Sequence, residues 1–291
     1  MGELAALANA VVWALTGVVT KGVGKNVKPV HIVTAQAWIG LTVLVVIGVI
    51  VGQMDELWNA PLHSALLLAG GAVINTFGSL TFWIAISRGR VSSVYPTTQS
   101  IFILISVITG WVFLNDAPQA GVGGGAALII GGVILLNWKS FDHKVASKPR
   151  ADYMAIGIAV LTSILWTGGF VTTAIGIQDT EPLPAATIRN FVPALLFAIV
   201  SIFIPTTRLS RVYKGNTIRL IAGAFLFAFS SLTFVFALDN APPGVVVVLV
   251  NTSPMWAVLF ASFVLRERLT RYALGGALLS LSGIFVVLAF K

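Results

Sequence analysis

Lys139 to Asp152 reads KSFDHKVASKPRAD, the single long polar interval in the chain, with apolar runs on either side. Lys139, Lys144, Lys148 and Arg150 make it basic. It lies near the middle of the 291 residues and separates 1–138 from 153–291. The reading is a linker, 139–152, between two copies of one membrane unit.

Composition identifies the solvent. The chain is 57% hydrophobic and 10% charged, with a mean hydropathy of +0.95. Soluble domains carry about 25% charged residues. A soluble fold of this size cannot bury so much apolar surface, so lipid is expected outside it. The net charge of +8 does not indicate a nucleic-acid partner. The basic residues cap apolar runs and form no continuous stripe. There is no cysteine, which excludes disulfides, thiol catalysis and thiolate metal sites. The first apolar run starts beside Met1 without a basic leader and ends in TKGVGKNVK, so it reads as a span and not as a signal peptide.

A membrane-spanning helix needs about 20 mostly apolar residues. Ten runs approach that: 3–23, 31–52, 63–87, 92–114, 121–138, 153–177, 184–206, 217–239, 244–265 and 272–290. Their length and lack of strict alternation favour helices over barrel strands. Pro29, Pro61, Pro118, Pro182 with Pro184, and Pro242 with Pro243 punctuate the connections.

The halves repeat. Trp13, Thr20 and Pro29 fall on Trp166, Thr173 and Pro182 at an offset of 153. Ser79-Leu80-Thr81-Phe82 falls on Ser231-Leu232-Thr233-Phe234 at 152, and Gly124-Gly125-Ala126 on Gly275-Gly276-Ala277 at 151. Charge then gives orientation. Loops after odd-numbered spans hold Lys25, Lys28, Arg88, Arg90, the linker, Arg208, Arg211, Lys214, Arg266, Arg268 and Arg271. Loops after spans 2, 4, 6 and 8 hold Asp55, Glu56, Asp116, Asp179, Glu181 and Asp239, with no Lys or Arg. The positive-inside rule makes the first set cytoplasmic and puts both termini outside. Five spans per copy require the copies to be inverted. The expected fold is an all-α integral membrane protein of ten transmembrane helices, two inverted five-helix repeats around a central cavity.

Five-span duplicated halves, with Trp166-Thr-Gly-Gly-Phe170, Ile188-Arg189-Asn190-Phe191, Asn251-Thr-Ser-Pro254, Leu265-Arg-Glu-Arg-Leu269 and Gly275-Gly-Ala277, resemble the EamA-type branch of the drug/metabolite transporter superfamily. Within it the chain looks most like the YddG-type amino-acid exporters. The resemblance implies export of small metabolites across a bacterial inner membrane. Gln36 stands where the second half has Arg189, so the arginine is not duplicated.

The residues suggest chemistry of their own. Arg189 is the one basic residue well inside an apolar run. It reads either as a cation for a substrate carboxylate or as a snorkelling residue held by carbonyls or by Glu181. All ten acidic residues fall in loops or at span ends, and His31, His63 and His143 lie at ends or in the linker. Proton-coupled exporters use a buried carboxylate, so facilitated diffusion is expected. Polar and aromatic groups mid-span nominate a binding site: Trp13, Thr16, Asn75, Ser79, Phe82, Tyr95, Gln99, Trp166, Phe170, Arg189, Asn251 and Ser253. For each hydroxyl the competing reading is an interhelical or back-bonding contact. Pro96 and Pro254 interrupt the equivalent fourth and ninth spans and nominate a gate. The glycine pairs Gly70-Gly71, Gly131-Gly132 and Gly275-Gly276 read as close-packing sites.

That pattern suits a neutral zwitterion with an aromatic or large hydrophobic side chain, its ammonium over a tryptophan face. A drug cation would prefer an acid and a sugar nucleotide several basic groups. The sequence has no HExxH, GxSxG, P-loop or mid-span carboxylate pair, so an intramembrane enzyme is disfavoured. No cofactor or metal is implied. The expected partners are a small-molecule substrate and the bilayer, and the oligomeric state is left open.

Overall fold

The computed structural model describes residues 1–290 apart from 22–26, 89–90, 117–118, 137–148, 209–216 and 266–270. Twelve α-helices fall within the described residues: α1 Gly2–Lys21, α2 Pro29–Val51, α3 Met54–Asn59, α4 Leu62–Arg88, α5 Val91–Leu114, α6 Ala120–Leu136, α7 Pro149–Gly176, α8 Pro182–Phe203, α9 Thr217–Asn240, α10 Pro243–Val250, α11 Ser253–Leu265 and α12 Arg271–Phe290. The ninth apolar run is split into α10 and α11. Taking that pair as one span, nine described stretches are long and apolar enough to cross a bilayer, and the 17-residue α6 is a shorter tenth. At about 1.5 Å per residue, α6 reaches roughly 26 Å, a little short of a ~30 Å hydrocarbon layer.

The breakers act as helix starts. Pro29, Pro182 and Pro243 occupy the first turns of α2, α8 and α10, where the missing N–H costs nothing. Gly52 ends α2 in the left-handed region at φ 76° and donates its N–H to Gly48 O, a conformation open to glycine. Residues 139–148 of the polar stretch lie outside the described residues, and α7 begins at Pro149, four residues before the expected sixth span. The acidic pair Asp55 and Glu56 sits in the first turn of the short helix α3, which had been read as loop. There the helix dipole favours negative charge.

Apolar side chains face outward: Ile50 and Phe203 are 78% exposed, while Asn9, Gln36, Thr162, Ser163 and Asn251 are buried. A water-soluble protein would not leave these apolar groups exposed along whole helices, and lipid covers them without cost.

The helices of the two halves interleave. The three most extensive packing pairs are α4 with α7, α6 with α12 and α1 with α9, each joining one half to the other. Exchanging equivalent spans converts the α1–α9 pair into the α7–α4 pair and returns α6–α12 to itself. Side chains follow the same exchange. Asn9 Nδ2 donates to Ser230 O at 2.6 Å and lies 3.4 Å from Thr233 Oγ1. At the matching positions Thr162 Oγ1 donates to Thr81 Oγ1 at 2.9 Å. The space beside Gly71 is filled by Thr172 Oγ1, and that beside Gly223, 152 residues on, by Thr20 Oγ1. In α6–α12 a Cβ on Gly276 would lie 2.6 Å from Gly132 O, and one on Gly283 2.8 Å from Gly125 O. These glycines let two backbones touch, which is how helices associate where lipid gives no hydrophobic drive.

Candidate functional site

The first-half and second-half tryptophans meet at the centre. Trp13 on α1 and Trp166 on α7 stand edge to face, ring centroids 6.3 Å apart at 82°. Trp166 also packs on Phe82 at 5.0 Å and Phe102 at 6.0 Å, and Trp13 on Phe227 at 6.1 Å. Gly78 makes room, since a Cβ there would lie 2.5 Å from Trp166 Cδ1.

These rings wall a cavity with about 730 Å³ of space, part of it open to solvent. Of the nominated residues, Trp13, Asn75, Ser79, Gln99, Trp166, Phe170, Arg189, Asn251 and Ser253 line it. Thr16, Phe82 and Tyr95 are not among the lining residues. Thr16 Oγ1 donates back to Val12 O at 2.9 Å, the back-bonding alternative. Phe82 is 2% exposed and packs between Trp83, Tyr95 and Trp166, behind the wall. The Tyr95 hydroxyl faces Ser253, Trp13 and Gln99, although Ser253 Oγ itself meets no partner at hydrogen-bonding distance.

The cavity also takes in Asn9, Phe102, Phe227, Ser230, Ser231, Phe234 and Val250, which the sequence had not nominated. Two of these carried a signal: Ser231 and Phe234 open and close the repeated tetrapeptide whose first copy supplied Ser79 and Phe82. A third, Asn9, is an amide inside the first apolar run and carried the same kind of signal as Asn75; Phe102, Phe227, Ser230 and Val250 carried none, and packing turns them inward.

The nominated prolines behave differently from each other. Pro96 lies within α5, which runs unbroken. Pro254 is the second residue of α11, directly after the break. Asn251 Nδ2 donates to Val247 O at 2.7 Å and Thr252 Oγ1 to Leu249 O at 2.7 Å. These bonds satisfy carbonyls that the interrupted helix would otherwise leave open inside the membrane. The broken segment thereby brings Asn251 and Ser253 to the cavity wall.

Arg189 is the cation of the site. Its Cζ lies 5.1 Å from the centroid of the Phe234 ring. Its Nε and Nη1 are buried and meet no hydrogen-bond partner among the described residues. Glu181, the alternative partner, is exposed and makes no salt bridge with it among the described residues. A second, smaller space, about 410 Å³ with open solvent included, adjoins the first through Asn75, Ser79, Arg189, Phe227 and Ser231. It extends between α2, α4, α8 and α9 and includes Gln36 and Asn190. Among the described residues, no Asp, Glu or His lines either space. The arrangement can hold a molecule with an apolar body, one negative group near Arg189 and one group that uses amide or hydroxyl contacts.

Comparison with known proteins agrees with this architecture. A solved crystal structure superposes with a TM-score of 0.78 over 100% of this chain and 98% of that one, at 14% identity, which bears on fold alone. A WAT1-related protein from Arabidopsis thaliana is 27% identical over 170 residues, covering 57% of this chain and 44% of that protein. The matched region thus spans less than half of the relative. Residues 1–138 and 153–289 each match the EamA-like transporter family. With two such segments covering nearly the whole sequence of an all-helical, multi-pass membrane protein, the chain belongs to the EamA-like transporter family, a family of non-enzymatic membrane transporters.

Proposed function

We propose that the chain exports small neutral metabolites, amino acids with aromatic or large hydrophobic side chains, in the manner of YddG-type exporters. The observation that carries this is the Arg189 guanidinium, its Nε and Nη1 without hydrogen-bond partners among the described residues, on the wall of a cavity built from Trp13, Trp166, Phe102, Phe170 and Phe234. The substrate carboxylate pairs with Arg189 through charge-assisted hydrogen bonds. Its ammonium lies against the indole faces, and its side chain occupies the aromatic walls. A drug cation would be repelled by Arg189, and a sugar nucleotide would bring more negative charge than one guanidinium balances.

Transport in this reading is facilitated diffusion by alternating access. The cavity walls offer no Asp, Glu or His to exchange a proton against the substrate. The break between α10 and α11 is the hinge, with Pro254 fixing its inner side and Pro96 acting within α5. The segment 139–152 is the cytoplasmic linker joining repeats 1–138 and 153–291, with both termini outside in a bacterial inner membrane.

The test is efflux of radiolabelled phenylalanine, tryptophan and leucine from proteoliposomes, with arginine and glutamate for comparison, with and without a pH gradient. Neutral amino acids should move and the charged ones should not. Transport that follows an imposed pH gradient with matching proton flux removes the uncoupled mechanism, and no movement of any neutral amino acid removes the substrate class. For orientation, a Ser147→Cys variant should resist an impermeant thiol reagent added to intact cells; labelling reverses the topology.

A further inference from the structure

We propose that the chamber beside the aromatic cavity is a site for a compact monovalent anionic group, a carboxylate or a halide, held between Gln36 and Arg189. The inference rests on the transport reading only where that group is the substrate's own carboxylate.

Three donor atoms on two residues lining the chamber are buried and unpartnered among the described residues. Gln36 is 3% exposed, and its Nε2 has no partner. Arg189 contributes Nε and Nη1, also buried and without partners. Thr76, Asn190 and Ser231, which also line the chamber, are engaged with protein partners. Thr76 Oγ1 donates to Ala72 O at 2.7 Å. Asn190 Nδ2 donates to Ala186 O at 2.8 Å and to Ser231 Oγ at 2.9 Å. Buried donors left unmade are costly, and those on a charged group most of all. Three such atoms belong to two residues that line one space, where no Asp or Glu is among the described lining residues, and one acceptor-rich ligand can satisfy them together.

Charge and position define the ligand class. Arg189 is the only cation among the lining residues, so one negative charge balances the site. The chamber is lined by side chains on four helices and leaves no room for a nucleotide. Gln36 and Arg189 stand at equivalent places in the two halves, 153 residues apart, on helices α2 and α8 that pack against each other. The anion therefore sits where the halves meet, gripped once by charge and once by an amide.

The test uses the full-length protein in detergent, prepared in gluconate. Chloride, L-phenylalanine and phenethylamine, which lacks the carboxylate, are titrated separately by calorimetry. Wild type should bind chloride, L-phenylalanine or both. Gln36→Ala should weaken that binding at least tenfold. Gln36→Glu should abolish it, because it keeps the side-chain shape and places a competing carboxylate beside Arg189. The second variant also supplies a partner for Arg189, and it decides the matter if Gln36→Ala does not fold. Chloride binding lost in Gln36→Glu assigns the chamber to a free anion. Loss of L-phenylalanine binding with phenethylamine indifferent assigns it to the substrate carboxylate. No binding by either anion, or unchanged affinity in Gln36→Glu, overturns the site. Chloride binding in a protein that moves no amino acid leaves the anion site standing and removes the transport reading. Amino-acid transport that persists in Gln36→Glu while neither anion's affinity changes removes the anion site and leaves the transport reading standing.

Discussion

The two halves keep the same glycines where their backbones touch, whereas the cavity mixes repeated residues, Trp13 with Trp166 and Ser79 with Ser231, with unlike ones. Gly125 and Gly132 recur as Gly276 and Gly283 in the α6–α12 contact, and Trp13 recurs as Trp166 at the centre. At other cavity positions the copies differ. Gln36 faces Arg189 in role, Asn75 corresponds to Phe227, Gly17 to Phe170 and Gln99 to Asn251. The fourth span runs unbroken as α5, and its counterpart is split into α10 and α11. Close backbone contact tolerates only small residues, so it preserves the repeat. A single asymmetric ligand in a symmetric frame needs unlike walls, so the binding surface diverges.

The comparison can be broken most severely at the tryptophans. Trp166 is 8% exposed and meets three rings, while Trp13 is only half-buried. Trp166→Ala should cost about 3–5 kcal/mol of stability and Trp13→Ala less, read from thermal unfolding in detergent. Both should lose transport while still reaching the membrane. Unchanged transport in both takes the pair out of the site.

Arg189→Gln makes α2 and α8 alike, with Gln in both places. Removing one partner of a buried charged pair costs about 2–5 kcal/mol, which is a loss of roughly 30-fold or more in substrate affinity. The double variant Gln36→Arg with Arg189→Gln transfers the cation to the equivalent site. Recovery of binding would mean that the two positions are interchangeable; no recovery would mean that Phe234 and the broken helix make the second half distinct.

Gly125→Ala and Gly276→Ala probe the conserved contact at matching positions. A Cβ on Gly125 would lie 2.8 Å from Gly283 O, and one on Gly276 2.6 Å from Gly132 O. Overpacking of this kind costs about 1–3 kcal/mol, and the two variants should lose stability equally. Gly123→Ala, with nothing within 4 Å, should change stability by less than about 0.5 kcal/mol. Unequal losses for the matched pair would show that the α6–α12 contact is not symmetric in energy.

The smallest effect concerns the end of α5. Asn115 adopts φ 53°, and Asp116 N donates to Gly110 O at 3.2 Å, closing a seven-residue turn at the end of α5. The turn aims the Asp116 carboxylate at α10, where it accepts from Gly244 N at 2.5 Å. Asp116→Ala should cost about 0.5–2 kcal/mol, the value of a helix cap, read as a lower unfolding temperature. A neutral result would mean that this tie between the unlike spans contributes nothing. Its counterpart by the repeat, Glu267, lies outside the described residues.

Much of the site was legible because membrane sequences advertise polar residues. An amide or arginine inside an apolar run is costly, so Asn75, Gln99, Asn251 and Arg189 could be picked out directly, and all four reach the cavity. Hydroxyls were ambiguous for a physical reason. A Ser or Thr on a helix can bond its own backbone, as Thr16 does with Val12 O. Aromatic residues were ambiguous because ring and core have the same chemistry. Phe82 and Phe234 occupy the same place in the repeated tetrapeptide, yet Phe82 is sealed in the core and Phe234 lines the cavity beneath Arg189.

By itself the sequence determined the solvent, the ten apolar spans, the duplication and the inequality of Gln36 and Arg189. These depend on composition, length and register, which are local properties of the chain. Tertiary structure decided the rest. It interleaved the halves, brought Trp13 against Trp166 across 153 residues, broke the helix at Asn251 rather than at Pro254, and left Arg189 Nε and Nη1 without hydrogen-bond partners among the described residues. Those outcomes depend on which helix faces which, and in a bilayer that is settled by contact between small residues and rings from distant parts of the chain.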